Sequence, residues 1–192
     1  MAFGWSAGVQ AAGCRALQSL AVNPGNRAKI GGKRGIEAIV RAMGAHGSSA
    51  GVQEAGCSAL INLADHALNK AAIGAKGGIE AVVRAMAAHE SSAEVQEAGC
   101  LALAKIVSWE SVLRSHFREA DAVPLVEKAL SEFPNNWMLQ MHGRIFLIKV
   151  VARSMFAPNF LAPNFIAPVP PAAASSADQG IRLHVAVAIP SA

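Results

Sequence analysis

Three cysteines, six histidines and thirteen carboxylates are the residues of this chain that could carry chemistry. Cys14, Cys57 and Cys100 stand 43 residues apart and then 43 again. That spacing contains no CxxC pair for zinc and is too regular for a disulfide framework. A reactive thiolate needs a helix terminus or a neighbouring cation, whereas each of these cysteines falls inside a helical stretch, so they are expected to pack as small apolar side chains. His46 and His89 share a repeat position, while His66, His116, His142 and His184 are scattered with no HxxxH pair. Zinc needs three or four converging ligands, so no metal site is expected. Glu37 and Glu80 recur with the same period, as do Glu54 and Glu97, which leaves no singular pair for general acid-base work. The expectation is a chain with no catalytic residues, no cofactor and no metal, and hence not an enzyme.

The period itself is an internal duplication. Val9 to Gly51 aligned under Val52 to Glu94 gives 27 identities in 43 positions, among them Val-Gln-x-Ala-Gly-Cys, Gly-Ile-Glu-Ala, Val-Arg-Ala-Met and Ser-Ser-Ala. A third copy starts at Val95 and diverges after Ile106, where one inserted residue brings Asp121 to Leu130 under Gly77 to Met86. A fourth begins at Leu139 and stops after a single helix. The copies are thus 9–51, 52–94, 95–138 and a partial 139–154, forming a repeat domain over 1–154 followed by a low-complexity tail, 155–192.

Within each copy the apolar spacing is helical: Ile36, Ile39, Val40 and Met43 fall at i, i+3, i+4 and i+7, and Ile79, Val82, Val83 and Met86 repeat the pattern. Val52, Gly56, Ala59, Leu60 and Leu63 mark a longer helix after a glycine- and serine-rich linker. Asn69 to Gly74 supplies a short one before Gly77-Gly78 breaks the chain. A glycine inside every long helix costs about 1 kcal/mol relative to alanine, so its recurrence implies close helix-helix approach.

Composition agrees with packed helices. Of 192 residues, 53% are hydrophobic and 16% charged, which excludes a wholly disordered polymer, and 40 alanines carry much of the mean hydropathy of +0.33. The longest uncharged window, 154–177, holds five prolines and argues against a membrane span. The amino terminus lacks the basic start and apolar run of a secretory signal, so the chain is read as cytoplasmic, with the nucleus as the second compartment. The net charge of +4 is modest. Residues 1–51 concentrate positive charge, yet without the clustering on one element that nucleic-acid binding requires.

A period of 42 to 44 residues with two or three helices is the signature of an alpha-solenoid. Gly78-Ile-Glu-Ala-Val-Val-Arg-Ala-Met86 resembles the second helix of an armadillo repeat, and Val52-Gln-Glu-Ala-Gly-Cys-Ser-Ala-Leu-Ile-Asn-Leu-Ala64 resembles the third. The faithful 43-residue unit is similar to the armadillo region of leucine-rich-repeat kinases and related algal and protist proteins, although no kinase motif is present. The resemblance implies an all-α, right-handed superhelix of about three repeats and a protein-protein interaction scaffold. It implies that third helices line a concave groove and hold an extended partner segment. The position that carries tryptophan in importin-type grooves is Arg15, Ser58, Leu101 and Ile145 here. The asparagine position is Ser19, Asn62, Lys105 and Lys149, and only Asn62 matches. The rung before them is Ala11, Glu54, Glu97 and Met141. The partner-binding residues expected on this ground are Arg15, Ser19, Glu54, Ser58, Asn62, Glu97, Leu101, Lys105, Ile145 and Lys149. The expected ligand is a protein or peptide of mixed acidic and apolar character.

Two further expectations concern the ends. The helix near 9–21 has no preceding repeat to pack against and only Phe3 and Trp5 as cover, so self-association is expected there. The tail repeats Phe-Ala-Pro-Asn and Phe-x-Ala-Pro from Phe156, its Pro168-Val-Pro-Pro171 lacks a flanking arginine, and it reads as a poorly ordered linker. A start within a third helix and a tail unlike the repeats also support a second reading, a partial product or fragment of a larger armadillo-containing regulatory protein.

Overall fold

The described parts of the copies fold into helices where the apolar spacing places them. The computed structural model describes residues 6–107 and 121–151, all within one unit, Met1–Phe160. The described residues form helices α1 (Ala7–Leu20), α2 (Pro24–Gly32), α3 (Gly35–Ala45), α4 (Ala50–Leu63), α5 (Ala67–Ala75), α6 (Gly78–Ala88), α7 (Ala93–Ile106), α8 (Ala122–Glu132) and α9 (Trp137–Val151). The architecture is all-helical, with no strand among the described residues. The tail 155–192, the segment 108–120 and the proposed cover Phe3 and Trp5 lie outside the described residues.

The starts and turns follow local chemistry. Asn23 caps α2 by accepting the Gly25 amide at 2.9 Å with Pro24 at the first helical position. Gly77 takes φ of 74°, the left-handed conformation that turns α5 into α6. At the equivalent positions Arg34 (φ 63°) and Asp121 (φ 53°) make the same turn, so geometry rather than residue type is what the copies share. Gly78 follows because a Cβ there would meet the Ile73 side chain at 2.5 Å and its carbonyl oxygen at 2.8 Å.

The long helices stack in order, α1 on α4, α4 on α7 and α7 on α9, while α3 packs on α4, α6 on α7 and α8 on α9. The core runs continuously between them. Ile36, Ile39 and Met43 of α3 are buried with Leu60 and Leu63 of α4, and Ile79, Val82 and Met86 of α6 with Leu103 and Ile106 of α7. Phe146 of α9 closes the row. Val83 is buried as expected, whereas its counterpart Val40 is half-buried.

The recurrent glycines admit this packing. At Gly56 a Cβ would lie 2.5 Å from Cγ of Met43, and at Gly99 2.5 Å from Cγ of Met86. Gly143 faces Leu130 and Val126 in the same way at 3.0 and 3.3 Å. Gly13 in α1 has nothing within 4 Å, and Val9 and Leu20 of the same helix are exposed.

A glutamine completes each junction. Gln53 Nε2 donates to the carbonyls of Met43 (2.9 Å) and His46 (2.8 Å), and Gln96 repeats the bonds to Met86 (2.7 Å) and His89 (3.0 Å). Gln140 does so to Leu130 (2.7 Å) and Phe133 (3.2 Å). The Met43, Met86 and Leu130 carbonyls so bonded belong to the last turns of α3, α6 and α8, where helix geometry leaves acceptors over, while those of His46, His89 and Phe133 also accept the amides of Ser49, Ser92 and Asn136. His46 and His89 are half-buried. His89 Nε2 lies 2.8 Å from the Gly47 carbonyl and ties successive interhelix turns together.

Candidate functional site

Helices α1, α4, α7 and α9 lie side by side, so positions 43 or 44 apart form rows across them. The first row runs Ala11, Glu54, Glu97, Met141, the second Arg15, Ser58, Leu101, Ile145, and the third Ser19, Asn62, Lys105, Lys149. Ala11 is buried; the others are exposed or half-buried. Between α4 and α7 the first two rows open into a groove of about 220 Å³, with Ile61, Ala98 and Leu101 as apolar lining, Ser58 beside them, and Glu54, Glu94 and Glu97 as its acidic groups. On α9 an apolar stripe continues the surface: Trp137 is 68% exposed, Met141 39%, Ile145 36% and Ile148 50%.

The third row is engaged within the protein. Asn62 Nδ2 donates to the Gln18 carbonyl at 2.9 Å, one long helix back. Lys149 Nζ donates to the Ala104 carbonyl at 2.9 Å, the equivalent bond at the last described junction, between α9 and α7. Lys105 Nζ pairs instead with Asp65 at 2.7 Å, and Arg27 approaches the other Asp65 oxygen at 3.6 Å. Donors and cations at these helix C-termini satisfy orphan carbonyls and oppose the negative end of the dipole. Burial lowers the Lys149 pKa below the usual lysine value, and the charges of Lys70 and Lys105 lower it further. The nitrogens expected to reach an incoming segment are thus already bonded at Asn62, Lys105 and Lys149. Sequence spacing placed these residues on one row but could not show their partners, because two of the three are backbone carbonyls.

Towards the opposite end of α4 and α7 the charge is negative, from Glu54, Glu94 and Glu97. Glu94 sits in the first turn of α7, where it accepts the Ser92 hydroxyl at 3.0 Å, and its pKa is lowered by a backbone hydrogen bond and then by Ser92. Glu97 accepts the Asn136 amide at 3.0 Å.

The three thiols lie in the core rather than at this surface. Burial pushes Cys57 and Cys100 up to about 12 and raises Cys14 as well, with the Arg15 charge acting in the opposite sense there. A thiol so placed stays protonated and is a poor nucleophile. Among the described residues no group of three or more His, Cys, Asp or Glu side chains is arranged to hold a metal ion. No described helix is long and apolar enough to cross a membrane.

A second cavity, of about 420 Å³, opens between α3 and α6 on the second-helix face. Alanines and glycines make up most of its lining, and its polar members are Arg84 and the already engaged Gln53. Two features that spacing arguments passed over are Gln53 with its equivalents and the acidic Glu94. The signal for the first was a glutamine recurring directly after an apolar residue, Val52, Val95 and Leu139 in turn, that is buried in each of three copies. No protein family, curated protein or solved structure matches this chain.

Proposed function

We propose that the chain is an armadillo-type solenoid of about three repeats, and that it serves as a protein-protein interaction scaffold holding an extended segment of a partner across its long helices. The observation that carries this reading is the groove between α4 and α7, where Ile61, Ala98 and Leu101 are open beside acidic side chains. It is supported by the exposed stripe Met141, Ile145 and Ile148 on the next long helix in the stack. Apolar surface left open beside a polar rim marks interaction sites. An extended segment seats alternate side chains in such a groove. Ser58, Leu101 and Ile145 are the contact row in this reading, with Glu54 and Glu97 beside it and Arg15 at the α1 end. Ser19, Asn62, Lys105 and Lys149 frame the far edge.

The test uses the full chain as bait, with captured proteins identified by mass spectrometry. Capture should fall in Leu101→Ala/Ile145→Ala and persist in Arg41→Ala/Arg84→Ala, which alters α3 and α6. The reverse pattern would move the site to the cavity between α3 and α6.

A further inference from the structure

We propose that the groove between α4 and α7 docks a protein segment bearing a lysine or arginine and, about three residues further along an extended chain, a branched aliphatic side chain. The proposal rests on the groove reading above and adds the charge and spacing of what enters it.

The charge follows from which groups are already satisfied. Glu54, Glu94 and Glu97 all line the groove. The ion pairs among the described residues join Arg27 and Lys105 to Asp65, Lys76 to Glu37, and Lys128 to Glu90, so none neutralises these three. Glu94 accepts a backbone hydrogen bond and the Ser92 hydroxyl, Glu97 accepts the Asn136 amide, and Glu54 accepts none among the described residues. An ionised carboxylate has room for about four, so each keeps acceptor capacity. The cations of the far edge are spent in the opposite sense, Lys105 on Asp65 and Lys149 on the Ala104 carbonyl. The unspent charge of the groove is therefore negative, and the acidic ligand expected from the lysines of the third row gives way to a basic one.

Geometry narrows the class of cation. The carboxylates do not form a metal cage among the described residues. A volume of about 220 Å³ falls below the roughly 300–1,000 Å³ typical of small-molecule pockets. A lysine or arginine suits it, since its apolar stem can lie along Ala98 and Leu101 while its head reaches the carboxylates. Ile61 lies seven residues beyond Glu54 on α4, about 10 Å along the helix. An extended chain covers that distance in about three residues, which sets the spacing between the cation and the aliphatic group.

The full chain is immobilised and a phage-displayed library of random peptides is selected on it, with Glu54→Gln/Glu97→Gln and Leu101→Ala as comparison baits whose folding is checked by circular dichroism. Glutamine keeps the acceptor for Asn136 while removing the charge. The wild-type pool should be enriched in Lys or Arg three residues from Leu, Ile or Val. A synthetic peptide of that consensus should bind the double variant about 2- to 30-fold more weakly, the loss of two exposed ion pairs, and lose affinity as salt is raised. A pool that is acidic or without charge bias, yet weakened by Leu101→Ala, overturns the charge assignment and leaves the groove standing. A pool indifferent to both variants, or no selected peptide at all, overturns the groove itself.

Discussion

The recurrent glycine makes a prediction in which one substitution should change sign between copies. Gly13, Gly56 and Gly99 occupy the same position of α1, α4 and α7, but only the last two face a methionine. An alanine Cβ at Gly56 would stand 2.5 Å from Cγ and 2.7 Å from Sδ of Met43. Carbon contacts settle near about 3.5–4.0 Å. Met43 must therefore yield by about 1 Å, and at 2% exposure it has no solvent to move into. Overpacking of this kind costs about 1–3 kcal/mol, against which alanine returns about 1 kcal/mol of helix propensity. The net for Gly56→Ala is about 0–2 kcal/mol of destabilisation. Gly13→Ala meets nothing within 4 Å and should stabilise α1 by about 0.5–1 kcal/mol. The two variants are compared by urea denaturation, with amide exchange along 7–20 to capture an effect confined to a fraying end. Met43→Ala should relieve the clash, so the double variant Met43→Ala/Gly56→Ala should be less destabilised than the sum of its parts. If Gly56→Ala proves as stable as Gly13→Ala, the close-approach argument fails.

Gln53→Ala removes both bonds to the Met43 and His46 carbonyls and should cost about 1–3 kcal/mol in urea titration, since at least one carbonyl stays buried and unpaired; a neutral result would mean that water replaces the side chain. Cys57 and Cys100, held near 12, should react slowly with a thiol reagent in native buffer and quickly in denaturant, and rapid native labelling of both would place them outside the core. The same thiols set a sign for pH. Above the ordinary value of 9.0 the unfolded chain gives up protons that the buried thiols retain, so stability should fall as pH rises from about 9 towards 12.

The helical architecture was legible because small-residue identity repeats with it. Twenty-seven matches in 43 positions fix which residues are equivalent, and equivalence predicts a common neighbour. Gly56 and Gly99 kept that promise by facing Met43 and Met86. The apolar faces of α3 and α6 were legible too, since i, i+3, i+4 and i+7 spacing can bury only one side of a helix. Gly77 was read as a break, but the left-handed turn it makes is made equally by Arg34 and Asp121. The turn is thus adopted by residues that carry a Cβ and favour it less than glycine does.

The charge of the groove was harder to read, and the reason lies in what a sequence row records. Asn62, Lys105 and Lys149 stand at one repeat position as two kinds of polar residue, which suggests a variable, ligand-facing edge. In the structure two of them perform one task, donation to the carbonyl end of the preceding long helix, and the third pairs with Asp65. A backbone acceptor has no residue type, so nothing in the row distinguishes a cation spent inside the protein from one offered to a partner. Glu54, Glu94 and Glu97 present the converse case: Glu54 and Glu97 were set aside as an acid-base pair but kept on the first rung of the groove, Glu94 was passed over, and no cation neutralises the three among the described residues. The charge a groove offers is what remains after internal pairing, and counting that remainder turns the sign of the expected ligand from acidic to basic.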